Sequence, residues 1–192
     1  LNNHDSTFRL SEYGTISSKE IKRAFMDGNY DSLPANMKKA AKEAIELLAT
    51  TSKAQLAELI LDKAYFEDCY ELCNKAGRRE TRKFLKGFVR MQADLANITT
   101  MLRIRQRALT DNADISIMQM AYVTGDISQE VFIKALREDN QKIVTIFAKT
   151  PYGRLVSEGT EKCDVTGSLS HFEKLCDDFI MLYLTEAGKN PF

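Results

Sequence analysis

The sequence predicts an all-α fold made of tandem helical units, and three observations predict it. Residues Thr81–Leu109 read TRKFLKGFVRMQADLANITTMLRIRQRAL. They place Phe84, Phe88, Met91, Leu95, Ile98 and Leu102 at steps of 4, 3, 4, 3 and 4, the spacing of one helix face. Chain breakers are few, with three Pro and nine Gly among 192 residues, which leaves long runs free to stay helical. Capping pairs of the form Ser-x-x-Glu or Ser-x-x-Gln recur at Ser17 with Glu20, Ser52 with Gln55, and Ser170 with Glu173.

Taken in order, residues 1–13 read as irregular, and Tyr13-Gly14-Thr15-Ile16 as a turn. Ser17 and Glu20 open a helix that runs to about Met26 and stops before Asp27-Gly28-Asn29. Ser32-Leu33-Pro34 opens a second, with Pro near the first turn, where its missing N–H costs nothing. This helix carries Met37, Ala41, Ala44, Ile45 and Leu48. Ser52 and Gln55 open a third, whose stripe is Leu59, Asp62, Phe66, Cys69 and Cys73. Ala76-Gly77 ends it.

The long helix at 81–109 follows. Its stripe must be buried against partners, because an isolated helix is marginal in water. Beside the stripe run Arg90, Asp94, Asn97 and Met101. A carboxylate and an amide at that border must find hydrogen bonds. Asp62 is in line with apolar neighbours in the same way. It is either solvated at a wet edge or paired with a cation, and Arg103 on the long helix is the candidate partner.

Asp111-Asn112-Ala113 reads as a break, followed by a short helix at Ile115–Val123 and the turn Thr124-Gly125-Asp126-Ile127-Ser128. Two short helices are expected at 140–148 and 151–158, with Thr150 capping and Pro151 in first position. KIVTIF at 142–147 has strand-like composition but no partner strand. A last helix at about 168–187 carries Leu169, Phe172, Leu175, Cys176, Phe179, Ile180 and Leu184.

The stretches GTISSKEI and GDISQEVF lie 111 residues apart, and Asp177 sits in its helix as Asp62 does, 115 residues on. This spacing points to a repeat. The units are 1–110, closed by the long helix, and 111–192, which lacks a closing helix. The apolar face of the last helix is then expected to be exposed or covered by another chain, leaving self-association open.

Composition excludes several classes. Lys plus Arg and Asp plus Glu both number 27, so the net charge is zero and gives no global pull toward nucleic acid or an acidic membrane. The basic run Arg78, Arg79, Arg82, Lys83, Lys86 and Arg90 could hold phosphates, but a solvated face is the better reading, and no nucleic-acid partner is expected. No apolar stretch reaches the length of a membrane span. The four cysteines, Cys69, Cys73, Cys163 and Cys176, read as reduced thiols of a reducing compartment. No phosphate loop, HExxH, CxxC or G-x-S-x-G occurs. No catalytic residue, cofactor or metal site is expected.

Leu61-Asp62-Lys63-Ala64-Tyr65-Phe66, then Asp94-Leu95-Ala96-Asn97-Ile98-Thr99-Thr100-Met101-Leu102-Arg103, resemble the C subunit of the V-type (A-type) ATP synthases. The d subunit of the vacuolar proton pump is its relative. Gly125-Asp126-Ile127 and Phe172-Glu173 with Asp177 are similar to the family's next segment, and Lys189-Asn190-Pro191-Phe192 would precede its final helices. The family's first unit and final helices have no counterpart here, and Ile180-Met181 stands where the earlier unit has Tyr65-Phe66.

The resemblance implies a funnel of similar all-helical units and a non-catalytic central-stalk subunit. Such a subunit couples the ATPase head to a membrane proteolipid ring that carries H⁺ or Na⁺. It lies in the cytoplasm, peripheral to the membrane, with no bilayer insertion of its own. Asp62, Asp94, Asn97 and Arg103 would then be structural polar residues rather than contact residues. A helical adaptor or scaffold unrelated to rotary ATPases is the alternative that composition supports.

Overall fold

A computed structural model describes residues 14–107 and 111–189. Among them the chain is all-helical, with nine helices and no strand. The irregular start expected at 1–13, the end of the long helix expected at 108–109, and residues 190–192 lie outside the described residues. The chain divides into two compact units, Leu1–Ala64 and Tyr65–Phe192.

In the first unit, α1 spans Ser18–Met26 and α2 spans Ala35–Thr51. The expected capping box is formed: the Ser17 hydroxyl accepts from the Glu20 N–H, and the Glu20 carboxylate accepts from the Ser17 N–H at 3.0 Å. Pro34 is the residue before α2, as its missing donor allows. A small core of Ala24, Leu33 and Ala41 takes Ile16, Tyr30, Met37 and Leu61 against it. The small alanines let helices approach closely.

Helix α3, Ala54–Lys75, runs through the division. The capping box expected at Ser52 and Gln55 is corrected. Ser52 adopts φ 55 and ψ 19, and its N–H donates to the Leu48 carbonyl, so it ends α2 in a left-handed cap. An N-cap residue needs extended backbone, which Ser52 has given up to close the preceding helix.

In the second unit, α4 spans Arg79–Gln106, 28 residues and roughly 42 Å. It is followed by α5 (Asp111–Ala121), α6 (Gln129–Leu136), α7 (Asn140–Phe147), α8 (Gly153–Thr166) and α9 (Ser170–Lys189). Asp111-Asn112-Ala113, expected as a break, is the first turn of α5. KIVTIF is helix: Asp139 caps α7 by accepting from the Lys142 N–H, and Ile143 and Phe147 are buried at helical spacing. Thr150 does not cap α8 directly; its hydroxyl donates to the Phe147 carbonyl and accepts from the Tyr152 N–H.

The pair Ser170 and Glu173 is corrected as well. Ser170 is the first helical residue, its N–H donates to the Ser168 hydroxyl, and Glu173 turns its carboxylate to Arg103.

The long helix is the axis of this unit, packing on α5, α6 and α9. From Met91 to Ile104 it is buried on several sides at once; Leu95, Ile98, Met101 and Leu102 belong to a core that includes Met118, Phe132, Phe147, Val156 and Phe172. Its flank at Val89 and Ala93 meets Phe66 and Cys73 of α3. The N-terminal third is wetter. There Phe84 and Phe88 stack on Tyr183 of α9, with ring centroids 5.7 and 6.1 Å apart. Gly87 makes room for that ring, since a Cβ there would be 2.8 Å from the Tyr183 hydroxyl.

The apolar face expected to be open on the last helix is for the most part packed instead: Leu169, Phe172 and Cys176 are buried in the core, Leu175, Phe179 and Ile180 pack against it, and of the face only Leu184 is exposed. The four cysteines are free thiols.

Candidate functional site: a turn clamped to the long helix

Asp94 and Asn97 share a face of α4, three residues apart, and both are buried among apolar neighbours. Groups of this kind are retained only when hydrogen-bonded. The turn between α5 and α6, Val123-Thr124-Gly125-Asp126-Ile127, supplies the partners. Asn97 Nδ2 donates to the Val123 carbonyl at 2.7 Å, and Asn97 Oδ1 accepts from the Val123 N–H at 3.0 Å. Asp94 Oδ1 accepts from the Ile127 N–H at 3.1 Å, and Oδ2 accepts from the Asp126 N–H at 3.2 Å. The Tyr152 hydroxyl donates to Asp94 Oδ2 at 3.1 Å.

The turn's other groups are held too. The Tyr70 hydroxyl donates to the Thr124 carbonyl, and the Tyr122 hydroxyl to the Ile127 carbonyl at 2.9 Å. Arg90, a turn earlier on α4, reaches the Asp126 carboxylate at 3.4 Å. Side chains from α3 and α4, with one from the residue after α5 and one from the residue before α8, therefore converge on five backbone residues. The turn is docked as a fixed part, not left as a loop.

Gly125 is what permits the approach. A Cβ there would lie 2.0 Å from Asp94 Oδ1 and 2.7 Å from its carboxyl carbon. Its φ is not in the left-handed region, so the requirement is space, not backbone freedom.

Burial sets the ionisation of the group. It pushes the Asp94 carboxyl above the usual carboxylate range, against the pull of the Ile127, Asp126 and Tyr152 donors, while the Asp126 charge pushes the same way as burial. Burial also raises the Tyr70 phenol to about 12, and the Tyr152 phenol further.

A second polar lock lies farther along α4. Arg105 Nη1 donates to the carbonyls of Ala135, Leu136 and Glu138 at 3.2, 3.1 and 2.5 Å. These are carbonyls at and just beyond the C-terminal end of α6, where a cation is favoured. Arg105 Nη2 donates to Asn140 Oδ1 at 3.0 Å, and Asn140 in turn donates to both Asp164 oxygens at 2.6 and 2.8 Å. One guanidinium thus joins α4, α6, α7 and, through Asn140, α8.

Of the four residues singled out in the sequence, Asp94 and Asn97 are brought together on one turn. Arg103 pairs with Glu173 on α9 at 2.7 Å. It projects from the part of α4 that runs beside α9. Asp62 is exposed on α3. Sequence reading missed Tyr152, Tyr70, Gly125 and Arg105. A glycine beside an aspartate in a turn was a visible signal; the tyrosines and Arg105 gave none, because their partners are 30 to 58 residues away.

Among the described residues, no group of three His, Cys, Asp or Glu could hold a metal ion, and no helix is long and apolar enough to cross a membrane. Asp94, its pKa raised by burial, faces three donors: the Asp126 and Ile127 N–H groups and the Tyr152 hydroxyl. The arrangement locks helices. The family described as ATP synthase (C/AC39) subunit matches residues 2–192. The chain belongs to that family. No curated protein and no solved structure matches it significantly. Membership in the C/AC39 family makes the chain a relative of subunits of a rotary ATPase, so its clamps are features of an assembly component.

Proposed function

We propose that this C/AC39-family chain is a non-catalytic central-stalk part, coupling the ATPase head to the membrane ring that moves H⁺ or Na⁺. It works from the cytoplasmic side, peripheral to the membrane, in contact with stalk subunits and the proteolipid ring. The observation that carries the reading is the family match across residues 2–192. The geometry supports it: a part that passes on torque must not yield internally, and α4 is tied to its neighbours by one buried and one half-buried polar lock besides its apolar core. Buried hydrogen-bonded groups of this kind fix register, because any slip leaves them unpaired. Asp94 and Asn97 serve this internal role, and Arg103 adds a surface tie to α9 through Glu173.

The tandem reading, with modules 1–110 and 111–192, is part of the proposal. It draws support from Ser17 and Ser128, which precede α1 and α6 at the same 111-residue offset.

The test is affinity purification of the tagged chain from detergent-solubilised membranes of its source cells. Recovery of ATPase head, stalk and proteolipid subunits is the expected result. Membrane vesicles lacking the chain should hydrolyse ATP without building an ion gradient. Recovery without any ATPase subunit, or full pumping in its absence, would overturn the proposal and leave an adaptor role.

A further inference from the structure

The basic run from α3 into α4 has no part in either lock, Arg90 excepted. Between residues 75 and 90 lie seven cations and one acid, Glu80, giving this segment +6 in a chain whose net charge is zero. On the helix the charges sort to one side. Arg79, Lys83, Lys86 and Arg90 follow steps of 4, 3 and 4, so at about 100° per residue they fall within roughly 60° of each other. They form a stripe about 16 Å long at 1.5 Å per residue. Phe84 and Phe88, which pack on Tyr183, are on the far side of the same helix.

Arg79 and Lys83 are exposed and Lys86 is half-buried. Among the described residues none of these three is in an ion pair, while Arg90 is only loosely paired with Asp126 at 3.4 Å, both side chains being more than half exposed. Arg82, beside the stripe, is turned inward to the Ala76 carbonyl at 3.0 Å and helps close α3. The helix that carries the stripe is held rigid by its core and its locks, so the spacing of the charges is fixed.

Resting on the assembly reading, we infer that this stripe is a docking surface for an acidic segment of another subunit of the rotary complex. The segment presents carboxylates at one-turn spacing opposite Arg79, Lys83 and Lys86. Charge complementarity is the argument: a concentrated +6 on an otherwise acidic neutral chain selects an acidic partner at short range and has no long-range pull on membrane or nucleic acid. A membrane is the poorer occupant. No large apolar side chain between residues 79 and 90 is exposed, so the stripe has nothing to insert among lipids.

The experiment uses the full chain, tagged, as wild type and as the triple variant R79E/K83E/K86E, recovered from solubilised membranes at low and high salt. Wild type is expected to retain its ATPase partners at low salt and lose them progressively with salt. The variant should recover at least about tenfold less of the subunit that docks there, since opposed like charges repel. Its thermal melt should match wild type. If the variant melts lower, competition decides: a short poly-glutamate peptide should strip the partner from wild type, and poly-lysine should not.

Full recovery by a well-folded variant, or no effect of poly-glutamate, overturns the inference. So does loss by the variant of binding to phosphatidylcholine–phosphatidylglycerol vesicles with partner recovery unchanged, which assigns the stripe to lipid. If wild type recovers no ATPase subunit at any salt, the assembly reading fails and the stripe's role with it.

Discussion

Gly125→Ala puts one methyl group where the long helix meets the turn. The new Cβ would be 2.0 Å from Asp94 Oδ1 and 3.3 Å from the Arg90 carbonyl. The Asp94 carboxylate is the end of a side chain, but it cannot swing away cheaply. It is fully buried and holds the Asp126 N–H, the Ile127 N–H and the Tyr152 hydroxyl. If Asp94 moves, two buried backbone donors lose a charged acceptor, at about 1–3 kcal/mol each. If the turn moves instead, the Asn97 and Tyr70 bonds are strained, and overpacking costs about 1–3 kcal/mol. Either route gives a loss of about 3–5 kcal/mol.

For a unit of this size 1 kcal/mol corresponds to about 4 °C, so the melting temperature should fall by about 12–20 °C. The assay is thermal unfolding followed by tyrosine near-ultraviolet circular dichroism, run as a double-mutant cycle with Asp94→Ala. Asp94→Ala is itself destabilising, but it removes the atom that the new Cβ strikes. Gly125→Ala should therefore cost less than about 1 kcal/mol in that background. A loss below about 1 kcal/mol in the wild-type background, or costs that simply add, would refute the close-approach argument.

Asn97→Ala removes both bonds to Val123 and leaves its buried N–H and carbonyl unpaired, a loss of about 2–4 kcal/mol that faster hydrogen exchange at the Val123 amide should report. Because Asp94 has a raised pKa when folded, the native chain keeps a proton that the unfolded chain has lost at pH values just above about 4. Its contribution is greatest below that value and declines as pH rises through the folded pKa, so Asp94→Asn should flatten that part of the stability profile; a carboxyl carbon NMR titration with its midpoint at or below about 4 would contradict this. Arg105→Lys should cost about 1–3 kcal/mol in urea unfolding, because one ammonium cannot span three carbonyls and Asn140. Arg103→Ala should cost under about 1 kcal/mol in the same assay, since its pair with Glu173 is about half exposed on both sides.

Helix identity, order and approximate ends were legible from residue spacing. The stripe from Phe84 to Leu102, the Ser17 box and the Pro34 start are local signals, and local hydrogen bonds and 3.6-residue periodicity produced them. Where two local signals compete, the sequence misleads. Ser52 can open α3 or close α2, and Ser170 can cap α9 or follow Ser168. Which one occurs depends on how the chain must turn between packed helices.

The sequence by itself also determined that Asp94 and Asn97 need partners, because a carboxylate and an amide set among Met91, Leu95 and Ile98 are stable only when hydrogen-bonded. It could not say which partners. Only the tertiary structure brought Val123, Asp126, Ile127 and Tyr152 to them, put Arg103 beside Glu173, and made Arg105 the junction of four helices. Periodicity is a property of neighbours within a few turns. A hydrogen bond across 30 or 60 residues is a property of packing, and nothing in the spacing of the residues encodes it.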